Sequence, residues 1–287
     1  MTAHAPTAAQ VLSELTQRFF HAGIASPRVD ARWLLRSALG WSAADLTLWA
    51  DRRLSDEQLD AVALLAGRRA RREPLQLVIG ETSFRGHRLS VRSGVFIPRP
   101  ETELLVDLVL AAVPPGGVVV ETCSGSGAIA CAVAAERPDV HVMAIDADAA
   151  AAALTADNAV DLGVVVDVRQ GDLLEPVPPA LHGRVDVVVA NPPYLTADDV
   201  TDLEPEVREW DPRAALVAGA TGHEVSDALI ASAPRYLAAG GWLLLELDER
   251  RVVETAVRAE EAGFVAVQTS ADLTGRTRFV SARRPPA

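Results

Sequence analysis

From Val118 onward the chain alternates short, nearly continuous apolar runs with segments of helical period, and this alternation constrains its fold more than any other feature. Strands are read at 118–121, 141–145, 164–169, 185–190, 242–247, 264–269 and 278–282, and helices at 128–136, 148–162, 224–237 and 252–262. Runs that are apolar throughout, separated by helices, describe a mostly parallel sheet covered on both faces. The last two strands follow one another without a helix, so they are expected to form an antiparallel pair at one edge. The fold class is α/β.

The first quarter has a different period. Val11, Leu12, Leu15, Phe19 and Phe20 share one face of a helix at 7–22 that Gly23 closes. Ser26-Pro27 starts a second helix, which Gly40 stops, and Ser55-Asp56-Glu57-Gln58 is a capping box before Leu59, Val62, Leu65 and Ala66. Residues 1–75 therefore read as a small all-helical domain. The period changes again at 76–98, where Phe84, 87–91 and 95–97, broken by Gly86 and Ser93-Gly94, suggest a β-hairpin linker. Residues 99–287 form the α/β domain.

One strand ends abruptly. Val185-Asp186-Val187-Val188-Val189 runs into Ala190-Asn191-Pro192-Pro193-Tyr194, and two prolines cannot continue a buried ladder because they lack the N–H it needs. An Asn side chain, free carbonyls and an aromatic face are thus grouped at a strand's carboxyl end, where open α/β sheets bind ligands. The Asn191 amide oxygen and the Pro192 carbonyl suit the two N–H donors of a planar –NH2 group, with Tyr194 stacked on its face.

The other strand ends carry acids. Glu121-Thr122-Cys123-Ser124-Gly125-Ser126-Gly127 joins the first strand to a helix, with glycines that permit close backbone approach and a helix N-terminus that favours a carboxylate. It departs from the dinucleotide fingerprint, because position 130 is Ala. Asp146, about 20 residues on, suits ribose hydroxyls. Asp172 is placed to accept from an adenine amino group, and Glu121 to face an ammonium. No P-loop, Gly-x-Ser-x-Gly elbow or metal motif accompanies them. A nucleoside with a cationic, amino-acid-like appendage matches this set better than a polyphosphate does, which points to S-adenosylmethionine.

Composition narrows the partners. The net charge is −12 and all 27 basic residues are Arg. Residues 1–80 hold 10 Arg against 8 acids, so the remainder carries −14. Such a chain has no general attraction for nucleic-acid phosphates, and direct nucleic-acid binding is not expected. No run approaches 18 apolar residues, the N-terminus lacks a signal-peptide pattern, and Cys123 and Cys131 lack a metal spacing. A cytoplasmic protein without membrane attachment or resident metal is expected.

The run Ile97-Pro98-Arg99-Pro100-Glu101-Thr102-Glu103, the Gly125-Ser126-Gly127 turn, Asn191-Pro192-Pro193-Tyr194, the run 211–216 and the closing Asp272-Leu273-Thr274-Gly275-Arg276 together resemble the HemK/PrmC family of release-factor glutamine N5-methyltransferases. The resemblance spans nearly the whole chain. It implies a class I, Rossmann-like methyltransferase sheet with S-adenosylmethionine as cofactor and a peptide chain release factor as protein substrate, hence a role in translation termination. Asn191, Pro192, Pro193 and Tyr194 would then be catalytic and hold the glutamine amide of a Gly-Gly-Gln loop. Arg99 and Glu101 would face the same substrate. Glu121, Cys123, Ser124, Gly125, Ser126, Gly127, Asp146, Asp172, Leu173 and Asn191 would line the cofactor site. Two alternatives stay open. Seven acids between Thr196 and Asp211 suit a small guanidinium or amine acceptor such as arginine, and loss of the cofactor would leave a binding module.

Overall fold

The computed structural model describes residues 5–287, so the first four residues of the stretch 1–75 lie outside the described residues. Five helices come first: α1 (Ala8–His21), α2 (Pro27–Leu39), α3 (Ala43–Leu48), α4 (Asp56–Arg69) and α5 (Leu75–Ile79). Then follow β1 (Glu81–Phe84), β2 (His87–Ser90), α6 (Glu103–Ala112), β3 (Val118–Thr122), α7 (Ala128–Glu136), β4 (His141–Asp146), α8 (Ala149–Leu162), β5 (Asp167–Gln170) and β6 (Val185–Ala190). The chain closes with α9 (Pro205–Arg208), α10 (Arg213–Leu216), α11 (Glu224–Tyr236), β7 (Leu237–Glu246), α12 (Glu249–Glu261), β8 (Val265–Ala271) and β9 (Thr277–Arg283).

Two compact units result. One joins residues 5–81 to Glu204–Trp210, and the other comprises Thr82–Leu203 and Asp211–Ala287.

The helical unit is built by local signals. Thr7, Ser42 and Ser55 each accept from the N–H three residues on while the residue there reaches back, closing three capping boxes. Gly40 ends α2 in the left-handed conformation. Phe19, Leu34, Leu35, Leu54 and Ala66 are buried at its centre. The arginines at the end of α4 serve the unit itself. Arg69 donates to Asp30 at 2.7 Å and to the Glu73 carbonyl at 3.0 Å, and lies 2.9 Å from Glu206. Arg72 donates through Nε to Glu206 at 2.7 Å, and Arg68 through Nε to Glu73 at 3.0 Å. The short helices α3 and α5 escaped the sequence reading because neither is long enough to show a period.

In the second unit, seven strands among the described residues form one sheet in the order β5-β4-β3-β6-β7-β9-β8. The pairs from β5 to β7 are parallel, and β9 runs antiparallel to both β7 and β8. The mostly parallel sheet and the antiparallel edge pair are both borne out. Alternation along β6 divides its side chains between two cores: Val187 and Val189 pack on the layer of α6, α7 and α8, and Val188 and Ala190 on that of α11 and α12. Each fully buried Val contributes roughly 1.5 kcal/mol. Because the chain leaves β3 for β4 on one side and crosses from β5 to β6 on the other, a crevice opens at the carboxyl end of β3.

Three elements differ from expectation. The hairpin is β1 and β2 only, and 95–97 forms no strand. Val95 N–H bonds the Arg92 carbonyl in a turn, Pro98 and Pro100 just beyond cannot extend a ladder, and Val95 packs on Ala151 and Leu154. The strand expected at 164–169 starts at Asp167, because Val164 N–H still bonds the Ala159 carbonyl at the end of α8. β7 begins at Leu237, earlier than expected, with a register shift opposite Val185 and Val187.

Arg69→Met would leave the Asp30 carboxylate and one side of Glu206 without their cation. Urea unfolding should show a loss of about 3 kcal/mol, the scale for breaking a buried ion pair from one side, and an unchanged midpoint would contradict the structural role.

Candidate active site

Each strand that ends at the crevice delivers one polar group. A cavity of about 260 Å³ is lined by Glu121, Cys123, Ser124, Gly125 and Ser126 after β3, Asp146 after β4, Asp172 and Leu173 beyond β5, and Asn191, Pro192, Pro193 and Tyr194 after β6. Thus the structure brings together all the expected site residues except three. Gly127, Arg99 and Glu101 are outside the lining.

The Gly-rich turn is held from several directions. Gly125 and Gly127 have φ of +56° and +74°, and a Cβ on Gly127 would stand 2.5 Å from Thr155 Cγ2, so both positions require glycine. Gly125 N–H donates to Asp146 Oδ2 at 2.8 Å, and the Gly125 carbonyl accepts from Thr155 Oγ1 at 3.1 Å. Asn158 Nδ2 donates to the Ser126 and Ser90 carbonyls at 2.9 and 3.1 Å, tying the turn to β2. Cys123 and Leu173 also have positive φ, +57° and +43°, which is costly for residues with a Cβ. Such strain clusters where a site fixes the backbone.

At the N-terminus of α7, expected to favour an anionic group, Glu121 Oε2 accepts from Ala130 N–H in the first turn, at 2.8 Å. The chain supplies its own carboxylate there. Burial pushes that carboxyl up to about 8, against the opposing pull of the Ala130 N–H. Desolvation also raises Asp146, although Gly125 and Asp148 donate to it. A cationic ligand group in the cavity would favour the charged form of both.

The Asn-Pro-Pro-Tyr run is clamped beyond the strand. Leu195 N–H donates to the Leu216 carbonyl and Ala218 N–H to the Leu195 carbonyl, both at 2.9 Å, while Arg251 Nε donates to the Tyr194 carbonyl at 2.5 Å. Asn191 Nδ2 donates to Thr102 Oγ1 at 3.4 Å. Burial raises the Tyr194 hydroxyl above its usual range, with the Glu246 carboxyl adding to it. Burial likewise pushes the Cys123 thiol up to about 12.

Arg99 and Glu101 face protein groups. Arg99 pairs with Asp211 and lies 4.8 Å over the Phe96 ring, and Glu101 lies 3.9 Å from Arg278. Both brace the run 97–103, which sends Pro98 and Thr102 into the lining. Sequence reasoning missed Phe96, Thr102, Ile129 and Val225 as lining residues. Thr102 belongs to a run already singled out, but Ile129 and Val225 carry no sequence signal beyond a helical apolar position.

The acids beyond Tyr194 are largely paired. Asp199 bonds Arg250 and Arg251, Glu206 bonds Arg69 and Arg72, Asp211 bonds Arg99, Glu204 lies 3.2 Å from Arg72, and Glu209 lies 3.1 Å from Arg208. Among the described residues no group of His, Cys, Asp or Glu is arranged to hold a metal ion, and no helix is long and apolar enough to cross a membrane.

The raised carboxyls set a direction for stability. Glu121 and Glu246, at about 8 and about 7, retain protons in the folded chain that the unfolded chain has released above 4.5. Stability therefore falls as pH rises through that window. Asp199, held at about 2, works the other way, and its contribution is lost only as pH drops from 3.8 towards 2. In calorimetry of the ligand-free protein the Tm should fall between pH 5 and pH 8.5, and the fall should shrink by about 2 °C or more in Glu121→Gln. A Tm that rises over this interval would contradict the assignment.

Comparison with known proteins places the chain. Family models match it at residues 10–80, described as the PrmC N-terminal domain, and at 92–204, described as the methyltransferase small domain. A release factor glutamine methyltransferase from Cereibacter sphaeroides is 39% identical over 282 residues, covering 98% of this chain and 99% of its own. One from Mycolicibacterium smegmatis is 40% identical over 268 residues, covering 92% of each chain. A solved methyltransferase from Pyrococcus furiosus, 17% identical, superposes with a TM-score of 0.51 over 69% of this chain and 89% of that one, a likeness of fold alone. The sheet is the class I methyltransferase sheet, and the chain belongs to the release factor glutamine methyltransferase family.

Proposed function

We propose that this chain transfers a methyl group from S-adenosylmethionine to the side-chain amide nitrogen of the glutamine in the Gly-Gly-Gln loop of a peptide chain release factor. The observation that carries the reading is that Asn191 and Pro192 line the same cavity as the Gly-rich turn and its acids. Asp146 and Asp172 border the cavity beside Glu121, whose buried carboxyl a cationic ligand would drive to its charged form, and this set suits a cationic nucleoside and repels a polyphosphate. Bound there, the cofactor supplies an electrophilic methyl group.

The chain's own residues then hold and orient the acceptor. Asn191 Oδ1 and the Pro192 carbonyl take the two N–H groups of the amide, which draws density onto nitrogen and aims its lone pair across the cavity. Tyr194 and Phe96 close the apolar faces. Neither Tyr194 nor Cys123 serves as a base, since burial holds both protonated. The proton lost after transfer goes to water.

The helical domain, 1–75, docks the protein substrate, the linker at 76–98 joins it to the methyltransferase domain at 99–287, and the enzyme works in the cytoplasm on protein without direct nucleic-acid contact. The pairing of five of the seven acids at 196–211 with the chain's own arginines removes the ground for a small guanidinium acceptor.

Asn191→Ala should lower methyl transfer to a purified release factor by about a hundredfold or more, the scale for losing a group that acts mainly in the transition state, while S-adenosylhomocysteine affinity by calorimetry changes less than about threefold. Equal loss of both would overturn the role given to Asn191, and radiolabel appearing on free arginine alone would overturn the substrate.

A further inference from the structure

Behind Asn191 lies a polar chain that touches no part of the cavity beyond Thr102. Glu246 closes β7, beside β6 through the Ala190–Leu245 pairing and beside β9 through its own pairing with Phe279. It is 1% exposed. Its carboxyl lies beside the Thr102 hydroxyl, and Oε2 has no hydrogen-bond partner. A carboxyl buried with an oxygen unpaired is costly, and a sheet end needs none. Thr102 is 4% exposed and accepts from Asn191 Nδ2 at 3.4 Å.

A hydroxyl has a single proton. Once Thr102 gives it to the Glu246 carboxylate, Thr102 can only accept from Asn191, so Nδ2 must turn to Thr102 and Oδ1 to the cavity. We infer that Thr102 and Glu246 are positioning residues that fix which way the Asn191 amide faces, and so present its oxygen to the acceptor's N–H. This rests on the reading that the site methylates an amide nitrogen.

Protonated Glu246 would relax the constraint, because a neutral carboxyl can donate to Thr102 and free the hydroxyl proton to seek Asn191 Oδ1. The groups facing Glu246 are Glu101 from the run before α6, Arg99 with its partner Asp211, Arg278 from β9 with its partner Asp272, and the Tyr194 hydroxyl after β6. Burial is the largest influence on the Glu246 carboxyl and Glu101 adds to it, holding it at about 7 against Thr102, Arg278 and Arg99. The polarity of the chain therefore changes near neutral pH.

The test measures kcat against pH for the full-length enzyme with a release factor, beside the nitrogen–proton spectrum of the Asn191 side-chain amide in the complex with S-adenosylhomocysteine. Thr102→Val should lower kcat about tenfold, the worth of one oriented hydrogen bond, and leave KM for S-adenosylmethionine within about twofold. Thr102→Ser should restore kcat to within about threefold. In the parent the Asn191 amide signals should shift with a midpoint near neutral pH, and Glu246→Gln should abolish that titration. A kcat within about twofold of the parent in Thr102→Val, an equal rise in cofactor KM, or Asn191 signals that ignore pH would each overturn the inference. Should Thr102→Val fail to fold, the parent's amide titration and Thr102→Ser still decide. If the parent leaves the release factor unlabelled, the substrate reading fails, and the amide titration judges Thr102 and Glu246 on its own.

Discussion

Between β3 and α7 the chain must reverse within a few residues, and it does so anchored at both ends by carboxylates that accept backbone N–H groups. Glu121 takes the Ala130 N–H inside the first turn of α7, and Asp146 takes the Gly125 N–H from the neighbouring strand. These bonds fix the turn before any ligand arrives. They also spend part of each acid's capacity on the chain itself, so the two carboxyls that border the cavity are positioned by the fold. The cost is visible in the raised carboxyls, and a cationic ligand would offset it.

A second economy runs through the arginines. Every basic residue is Arg, and a planar guanidinium can bond several partners at once where an ammonium acts as a point charge. Arg69 serves Asp30, Glu206 and a backbone carbonyl. Arg251 serves Asp199 and the Tyr194 carbonyl. Asp199, in an acidic stretch that in sequence looks like a surface awaiting a cation, is thereby tied through one guanidinium to the Tyr194 carbonyl.

The period of the apolar runs was enough to read the sheet, its two covered faces and its antiparallel edge, because burial on both sides leaves an unbroken signature in Val and Leu. Most of the cavity was legible for a related reason: strand ends in a parallel sheet point one way, so Glu121, Asp146, Asp172 and Asn191 had to converge. Arg99 and Glu101 were not legible. Their run identifies the neighbourhood, but whether a side chain faces a ligand or a neighbouring arginine depends on contacts more than a hundred residues away, such as Arg99 with Asp211. Glu246 was equally silent, since a single acid closing an apolar strand carries no periodic mark. The residues at 95–97 show the limit of pattern itself: alternation predicts burial, and they are largely buried, but a turn before them and two prolines just beyond leave that burial outside a sheet.

The inclusion of Glu204–Trp210 in the helical unit has a topological consequence. The polypeptide passes from one unit to the other three times, at 81–82, 203–204 and 210–211, so neither unit is a continuous stretch of chain. Cutting after the fifth helix would not release an intact catalytic half. It would strip Glu206 of Arg69 and Arg72 and leave facing water a carboxylate that had been sheltered by guanidiniums. Three arginine–glutamate contacts thus hold inside the helical unit a segment that reaches it from more than a hundred residues further along the chain.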